Sequence, residues 1–427
     1  MTSLNRFWEL VLGDNHPFLY NFLLYFYAKL FGYTDGVLRF FSTLCILVGG
    51  FVSYYLLQKH TGRYVAFIYF GIYLCAPNTI YYAQELRSYA MLLGLSSVFC
   101  VLYFLIRESL YARFTSLSIW HFVGLSFVGV LLILTHYYAY IFCFCAGLAL
   151  LLECLYKKSL FLPVFLSFLI IGCVGVAWIL VHIYYGGFYE RIIGSANGQN
   201  WIHEGSVWSL VWSVLLSMFG KYGIGALILT TLYLTVSNFA QLRSLIKRHI
   251  TLCLPIVFEI CMLVVIFTFV SKTMTTRYFI EIYPFGYLFV ALILGFYGRR
   301  VLPFVCLILV CLSIHSFLLS ATYKKEDIRA ASAYITTHFD SAHCKLPVSW
   351  ISYARYLPEF EFVTHPLKQE SCDLILLSTA NETDKATDFK ATRDYLSKHN
   401  ISEPYCFLYF DGALLVLQKC APKSLKD

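Results

Sequence analysis

The chain has 427 residues, of which 59% are hydrophobic and 13% charged, with a formal net charge of +8. Soluble globular domains carry about 25% charged residues, so this chain has too little polar surface to face water on every side. The basic excess belongs to residues 1–321, while residues 322–427 are close to neutral; it reads as membrane topology, and a nucleic-acid-binding patch is excluded.

A helical span takes about 20 mostly apolar residues. In chain order such runs fall near 37–57, 64–80, 88–106, 117–135, 137–155, 160–184, 223–241, 252–271, 278–297 and 301–321, which predicts about ten transmembrane helices. The run Leu117–Tyr156 is too long for one span and folds back at Thr135-His136-Tyr137-Tyr138. Two shorter apolar stretches, Phe18–Phe31 and Val207–Phe219, are expected to lie in the outer interface. A short buried helix is the plain alternative for the second. The first 15 residues lack the apolar core of a cleavable signal peptide.

Basic residues mark cytoplasmic loops. Alternate loops carry Lys59 and Arg63; Arg107 and Arg113; Lys157 and Lys158; Arg243, Lys247 and Arg248; Arg299 and Arg300. The opposite loops, 1–36, 81–87, 135–138, 185–222, 272–277 and the tail from 322, are then external. The membrane part is expected over 1–321 and a small extracytoplasmic α/β domain over 322–427. In that tail Ile328, Ala331, Tyr334 and Ile335 follow helical spacing, and Asp373–Leu377, Cys406–Tyr409 and Ala413–Leu417 read as short strands. Its four cysteines, Cys344, Cys372, Cys406 and Cys420, either form two disulfides in one of three pairings or stay free.

Charged groups at membrane depth are costly and need a reason. Most of them here map to the external face. Asp14 and His16 precede the first interface stretch, Glu85 and Arg87 follow the second span, and His136 sits at the hairpin between two spans. Arg277-Tyr278 opens a span, and Glu204 lies in the long loop 185–222. Each has a plainer reading: Arg277 pairs with Glu281 four residues on, Arg87 snorkels to headgroups, His136 caps a turn, other cations neutralise Glu85. Glu259, mid-span, is expected to pair within the bundle. Convergence favours function: carboxylates, imidazoles and guanidinium groups facing one compartment suit acid–base chemistry and phosphate binding. A carboxylate–His set could also take a divalent metal, though no close spacing demands one, and no other cofactor is indicated.

These residues lie in segments that resemble a family. His16-Pro17-Phe18-Leu19-Tyr20, Leu30-Phe31-Gly32 and Leu38-Arg39-Phe40-Phe41-Ser42 are similar to the opening run of GT-C glycosyltransferases of the protein O-mannosyltransferase and lipid A aminoarabinose transferase type. Tyr81-Tyr82-Ala83-Gln84-Glu85-Leu86-Arg87-Ser88-Tyr89-Ala90, Thr135-His136-Tyr137-Tyr138, Arg277-Tyr278 with Pro284, and Lys325–Ala331 follow in the family's order. The resemblance implies a polytopic membrane enzyme with its site at the external face. It implies a polyprenyl-phosphate sugar donor, inverting transfer to a lipid, glycan or protein acceptor, and a carboxylate base in the first external loop, often with metal assistance. By motif position Asp14 and His16 fall in that loop and Glu85 in the next. Arg277, with Arg87 and Tyr278, becomes the candidate for the donor phosphate, and His136 and Glu204 are further candidates. The family pattern usually starts with one more span and an Asp-Glu pair, both absent before His16. The expectation is therefore a late-called start or truncated gene, with Asp14 as substitute base or a catalytically dead scaffold as alternatives. A transporter or flippase of a lipid-linked solute is the competing class, but it predicts repeats and midplane breaks that the sequence does not show.

Overall fold

The computed structural model describes residues 8, 11–12, 16–111, 117–186, 207–269, 276–322 and 328–338, and strand residues 345–347, 361–363, 374–378, 406–410 and 413–417. The chain divides into two compact units, Met1–Leu319 and Ser320–Asp427.

The first unit is helical. Its elements are α1 (Leu19–Phe31), α2 (Asp35–Thr61), α3 (Arg63–Cys75), α4 (Pro77–Ala83), α5 (Tyr89–Leu110), α6 (Ile119–Ile133), α7 (Tyr138–Lys157), α8 (Phe161–Gly186), α9 (Val207–His249), α10 (Leu254–Phe269), α11 (Tyr283–Phe296) and α12 (Leu302–Thr322). Short 3₁₀ turns at Ile250–Cys253, Thr276–Ile282 and Gly298–Val301 join the later ones. Among the described residues, seven stretches are long and apolar enough to cross a membrane: 35–61, 89–110, 138–157, 161–185, 208–266, 276–296 and 298–319. On α8 the large side chains Phe165, Leu166, Leu169, Ile170, Val176 and Leu180 are all exposed. An apolar face of that size needs lipid, not water, against it, and the protein is an integral, multi-pass membrane protein.

Four expected spans look different in the structure. The run near 64–80 is α3 plus α4, bent by 59°. Pro77 begins α4 and lacks the N–H that would continue α3, and it holds Ala76 extended at φ −61°, ψ 138°. The run near 117–135 yields α6, whose 15 residues rise only about 22 Å at ~1.5 Å each. The runs near 223–241 and 252–271 share the single stretch 208–266, interrupted at Asn238 and by the 3₁₀ turn at Ile250. The expected interface helix Val207–Phe219 is the opening segment of that stretch. It stops at Gly220, whose φ of 62° lies in the left-handed region that favours glycine; the side chain of His315 fills the space a Cβ would take.

Helix α5 is the axis of the unit. A helix apolar all round must be buried all round, and α5 is: α2, α4, α6, α7 and α11 all pack on it, and Phe99, Tyr103 and Phe104 are fully enclosed. Its tightest neighbour is α2. Gly49 and Gly94 face each other there, and a Cβ on Gly94 would stand 2.5 Å from the Cys45 carbonyl oxygen. Such small residues let membrane helices approach backbone to backbone. Beside them Ser53 and Ser97 hydroxyls bond at 2.8 Å, and Tyr69 bonds Ser97 at 2.8 Å.

The far end of α5 corrects another expectation. Arg107, expected in a loop, lies in the last turn of α5 and is 1% exposed. Its Nε donates to Glu153 at 3.1 Å and its Nη1 to Glu108 at 2.6 Å, while Nη2 donates to Thr251. A buried guanidinium survives only when paired in this way, and the pairing ties α5 to α7 and to the turn after α9.

In the second unit, α13 spans Ile328–His338. Strand β1 (Lys345–Pro347) runs parallel to β2 (Glu361–Val363). Strands β3 (Leu374–Ser378), β4 (Cys406–Phe410) and β5 (Ala413–Leu417) form an antiparallel sheet in the order β3-β5-β4. Of the four tail cysteines only Cys406 is among the described residues.

Replacing Gly94 by Val should force α2 and α5 apart, at a cost of about 1–3 kcal/mol. The expected readout is a lower thermal midpoint in detergent, with less monodisperse protein on size exclusion. Gly36→Ala, where nothing lies within 4 Å of the new Cβ, should leave both unchanged.

Candidate functional site

The expected site residues belong to segments where helices end. Among them are the stretch before α1, the corner between α4 and α5, the α6–α7 hairpin and the 3₁₀ turn 276–282. Backbone groups freed at such ends need partners, and the partners determine how these segments meet.

At the α4–α5 corner the Glu85 carbonyl accepts from Ser42 Oγ of α2 at 2.7 Å. Because the single Ser42 proton is used there, Tyr20 of α1 is the donor in its 3.0 Å bond to Ser42. Thr43 donates to the Ala83 carbonyl at 2.8 Å, and the Leu19 N–H donates to Leu134 O at 3.0 Å. Tyr20, Ser42 and Glu85 come from three of the segments that carry the family resemblance. The two hydrogen bonds join them in one chain.

Around this frame the rings converge. His16 and His136 have centroids 5.1 Å apart, with Tyr89 6.5 Å from His16 and 5.3 Å from His136. His136 lies 5.6 Å from Tyr138, which stacks on Tyr278 at 4.0 Å. The Arg277 guanidinium is 5.9 Å from the Tyr278 ring and acts electrostatically on Tyr89, Tyr82 and Glu85 as well. Arg87 Nε stands 3.8 Å from Glu85 Oε1, with Arg87 half exposed. The structure thus gathers His16, Glu85, Arg87, His136, Arg277 and Tyr278. Asp14 and Glu204 lie outside the described residues.

His136 both caps its turn and joins the cluster. Its Nδ1 accepts from the Tyr138 N–H at 3.2 Å, which leaves the proton of the neutral ring on Nε2. Burial, then the nearby His16 and Arg277 charges, push its pKa well below the usual 6.5. The ring is therefore a neutral donor at physiological pH, available to a phosphate or sugar oxygen. Among the described residues no group of three His, Cys, Asp or Glu side chains could hold a metal.

The expected pairing of Arg277 with Glu281 does not form, since neither Glu281 oxygen has a hydrogen-bond partner. The reason is helical pitch. These residues lie in a 3₁₀ turn, where three residues complete a turn and the fourth is rotated by about 120°. Sequence reading also passed over Tyr20, Ser42 and Tyr89 as individuals. Their signal was only that they lie within motifs whose charged members drew attention first.

No family model matches the chain, and comparison with curated proteins gives no match. Among solved structures the chain is similar to the crystal structure of ArnT from Cupriavidus metallidurans in the apo state, with a TM-score of 0.60. It is also similar to that of the same protein bound to undecaprenyl phosphate, with a TM-score of 0.58. Each is 13% identical, with 94% of this chain and 87% of that chain covered. At this identity the likeness is one of fold alone.

The buried neutral state of His136 makes stability depend on pH. Its folded pKa lies below the unfolded value, so the unfolded chain binds the proton first, and stability is lost as pH falls below about 6.5. The slope from this one group approaches about 1.4 kcal/mol per pH unit. Thermal midpoints measured from about pH 7 down to about pH 5 should fall less steeply in His136→Gln than in the wild type.

Proposed function

We propose that this protein is a membrane glycosyltransferase that moves a sugar from a polyprenyl-phosphate carrier to an acceptor at the external membrane face, with inversion. The observation that carries this reading is the gathering of Arg277, Tyr278, Arg87, Glu85, His136 and His16 at helix ends. It occurs in a fold shared with a protein whose crystal structure holds undecaprenyl phosphate. Ten crossings follow if the bent pair α3–α4 and the short α6 each count as one and the stretch 208–266 as two. The basic loops then face the cytoplasm and the unit 320–427 lies outside.

The chemistry asks for little from an acid. As the bond between the anomeric carbon and the phosphate oxygen breaks, negative charge grows on the leaving phosphate. Arg277, with Arg87 and the neutral His136 Nε2–H, is placed to stabilise it. The acceptor oxygen attacks the opposite face of the sugar and passes its proton to a carboxylate. Asp14 and Glu85 are the candidates for that base, with His16 beside them. The acceptor itself is a lipid, a glycan or a protein.

The carrier also needs an apolar path. A cleft of about 230 Å³ opens between α7 and α8, lined by Tyr140, Cys143, Phe144, Gly147, Phe168 and Ile171. It continues along α8 past Gly172 and Val176. In this reading the cleft holds isoprenoid units by contact alone.

One observation favours a second reading, transport of a lipid-linked solute: two carboxyls, Glu259 and Glu281, are fully buried within the bundle, a setting typical of transport pathways.

Purified protein in nanodiscs, given radiolabelled polyprenyl-phosphate sugars, should transfer or hydrolyse one of them. Arg277→Ala and Glu85→Gln should each lower kcat/KM by roughly 100-fold or more at unchanged protein level. Transfer that survives both substitutions rules out these assignments, and carrier translocation across vesicles without turnover establishes the transport reading. Gly172→Phe, placed where nothing lies within 4 Å of a new Cβ, should raise KM for long-chain donors while leaving a short-chain analogue unaffected.

A further inference from the structure

Glu259 lies in α10 and Glu281 in the 3₁₀ turn Thr276–Ile282. Both are fully enclosed, and none of their four carboxyl oxygens has a hydrogen-bond partner. The two groups act directly on each other, and α7 packs against both of their segments. The titratable groups that face them are Cys143, Cys145 and Tyr138 from α7 and Tyr283 from α11. Among the described residues, Glu281's own backbone N–H is the one donor that acts on either carboxyl, and no Lys, Arg or His does so. Arg277, the nearest cation in sequence, engages Tyr89, Tyr278, Tyr82 and Glu85 instead.

Two ionised carboxylates cannot persist side by side in a dry interior without a counter-charge. A buried acid in that position takes up a proton rather than stay charged, and a neighbouring acid strengthens the effect. A protonated carboxyl carries no charge to compensate, and it gains an O–H donor that the ionised group lacks. A metal ion would solve the same problem, but it asks for further ligands, and no third His, Cys, Asp or Glu completes a set among the described residues.

We infer that Glu259 and Glu281 form a proton-binding carboxyl pair inside the membrane, occupied at neutral pH. The pair sits directly behind the aromatic layer of the candidate site, since Glu281 follows Arg277 and Tyr278 in the same turn and acts on Tyr138. Its protons keep uncompensated negative charge away from Arg277, so that the carboxyl pair does not compete with an anion for that guanidinium. This last consequence rests on the phosphate reading above; the proton assignment does not.

Infrared difference spectroscopy on the full chain in nanodiscs tests the inference. At neutral pH the wild type should show the carbonyl stretch of protonated carboxylic acid, shifted in D₂O. The band should weaken in Glu259→Gln and in Glu281→Gln and vanish in the double variant, and sodium or calcium ions should leave it unchanged. Absence of the band from the wild type overturns the proposal whether or not any variant folds. So does a band that survives the double substitution, or one that disappears when either ion is added. Binding of inorganic phosphate to the same samples separates the two readings. Arg277→Ala should keep the band and lose phosphate, whereas loss of neither leaves the proton pair standing and removes the phosphate site.

Discussion

A carbonyl freed at a helix end needs a donor, and much of this structure follows from how one such group is satisfied. The Glu85 carbonyl, at the corner between α4 and α5, takes the Ser42 proton, and Ser42 in turn takes that of Tyr20. Hydroxyls in series polarise one another, so the chain is stronger than its separate bonds. It fixes α1 on α2 and both on the corner. Once the corner is fixed, Glu85 and Arg87 have defined positions relative to the α6–α7 hairpin, which Leu19 reaches through its own backbone bond. The cluster of His16, His136, Tyr89 and Tyr278 is assembled on this frame.

The two ends of α5 use opposite strategies. At its start, next to Glu85 and Arg87, polar groups are left partly open, with Arg87 half exposed. At its finish Arg107 is closed over by Glu108, Glu153 and Thr251. Truncating one partner of a buried charge strands the other, so the closed end serves as an anchor. The open end can meet a charged ligand because the helix is held elsewhere.

Much of the fold was legible in the sequence because lipid imposes a simple rule: long apolar runs become helices. That rule has no resolution at breaks. Pro77 was visible, yet the apolar run across it concealed a bend of 59°; Asn238 interrupts a longer helix without a change in composition. In the site, Glu85, Arg87, His136 and Arg277 stood out because charge is rare in such a chain. Tyr20 and Ser42 did not, since a tyrosine among 34 and a lone serine carry no signal until their partners are known. Glu259 and Glu281 were both noticed, Glu259 only as pairing somewhere within the bundle, and Glu281 with Arg277 as the wrong neighbour. A spacing of four suggests a shared face only if the helix is α, and the turn at Thr276 is 3₁₀. The pairing they make instead joins separate elements, which one sequence cannot disclose.

The exposed flank of α8 and the enclosure of α5 together set a gradient of tolerance across the molecule. Along α8 one greasy side chain can replace another, because lipid tails conform to whatever they meet. Around Gly49 and Gly94 not even a methyl group fits without displacement. Substitutions accumulating in this chain over time would therefore spare a narrow column through its middle and scatter over its rim. A variant library would show the same shape, a map of the bilayer drawn by what it forgives.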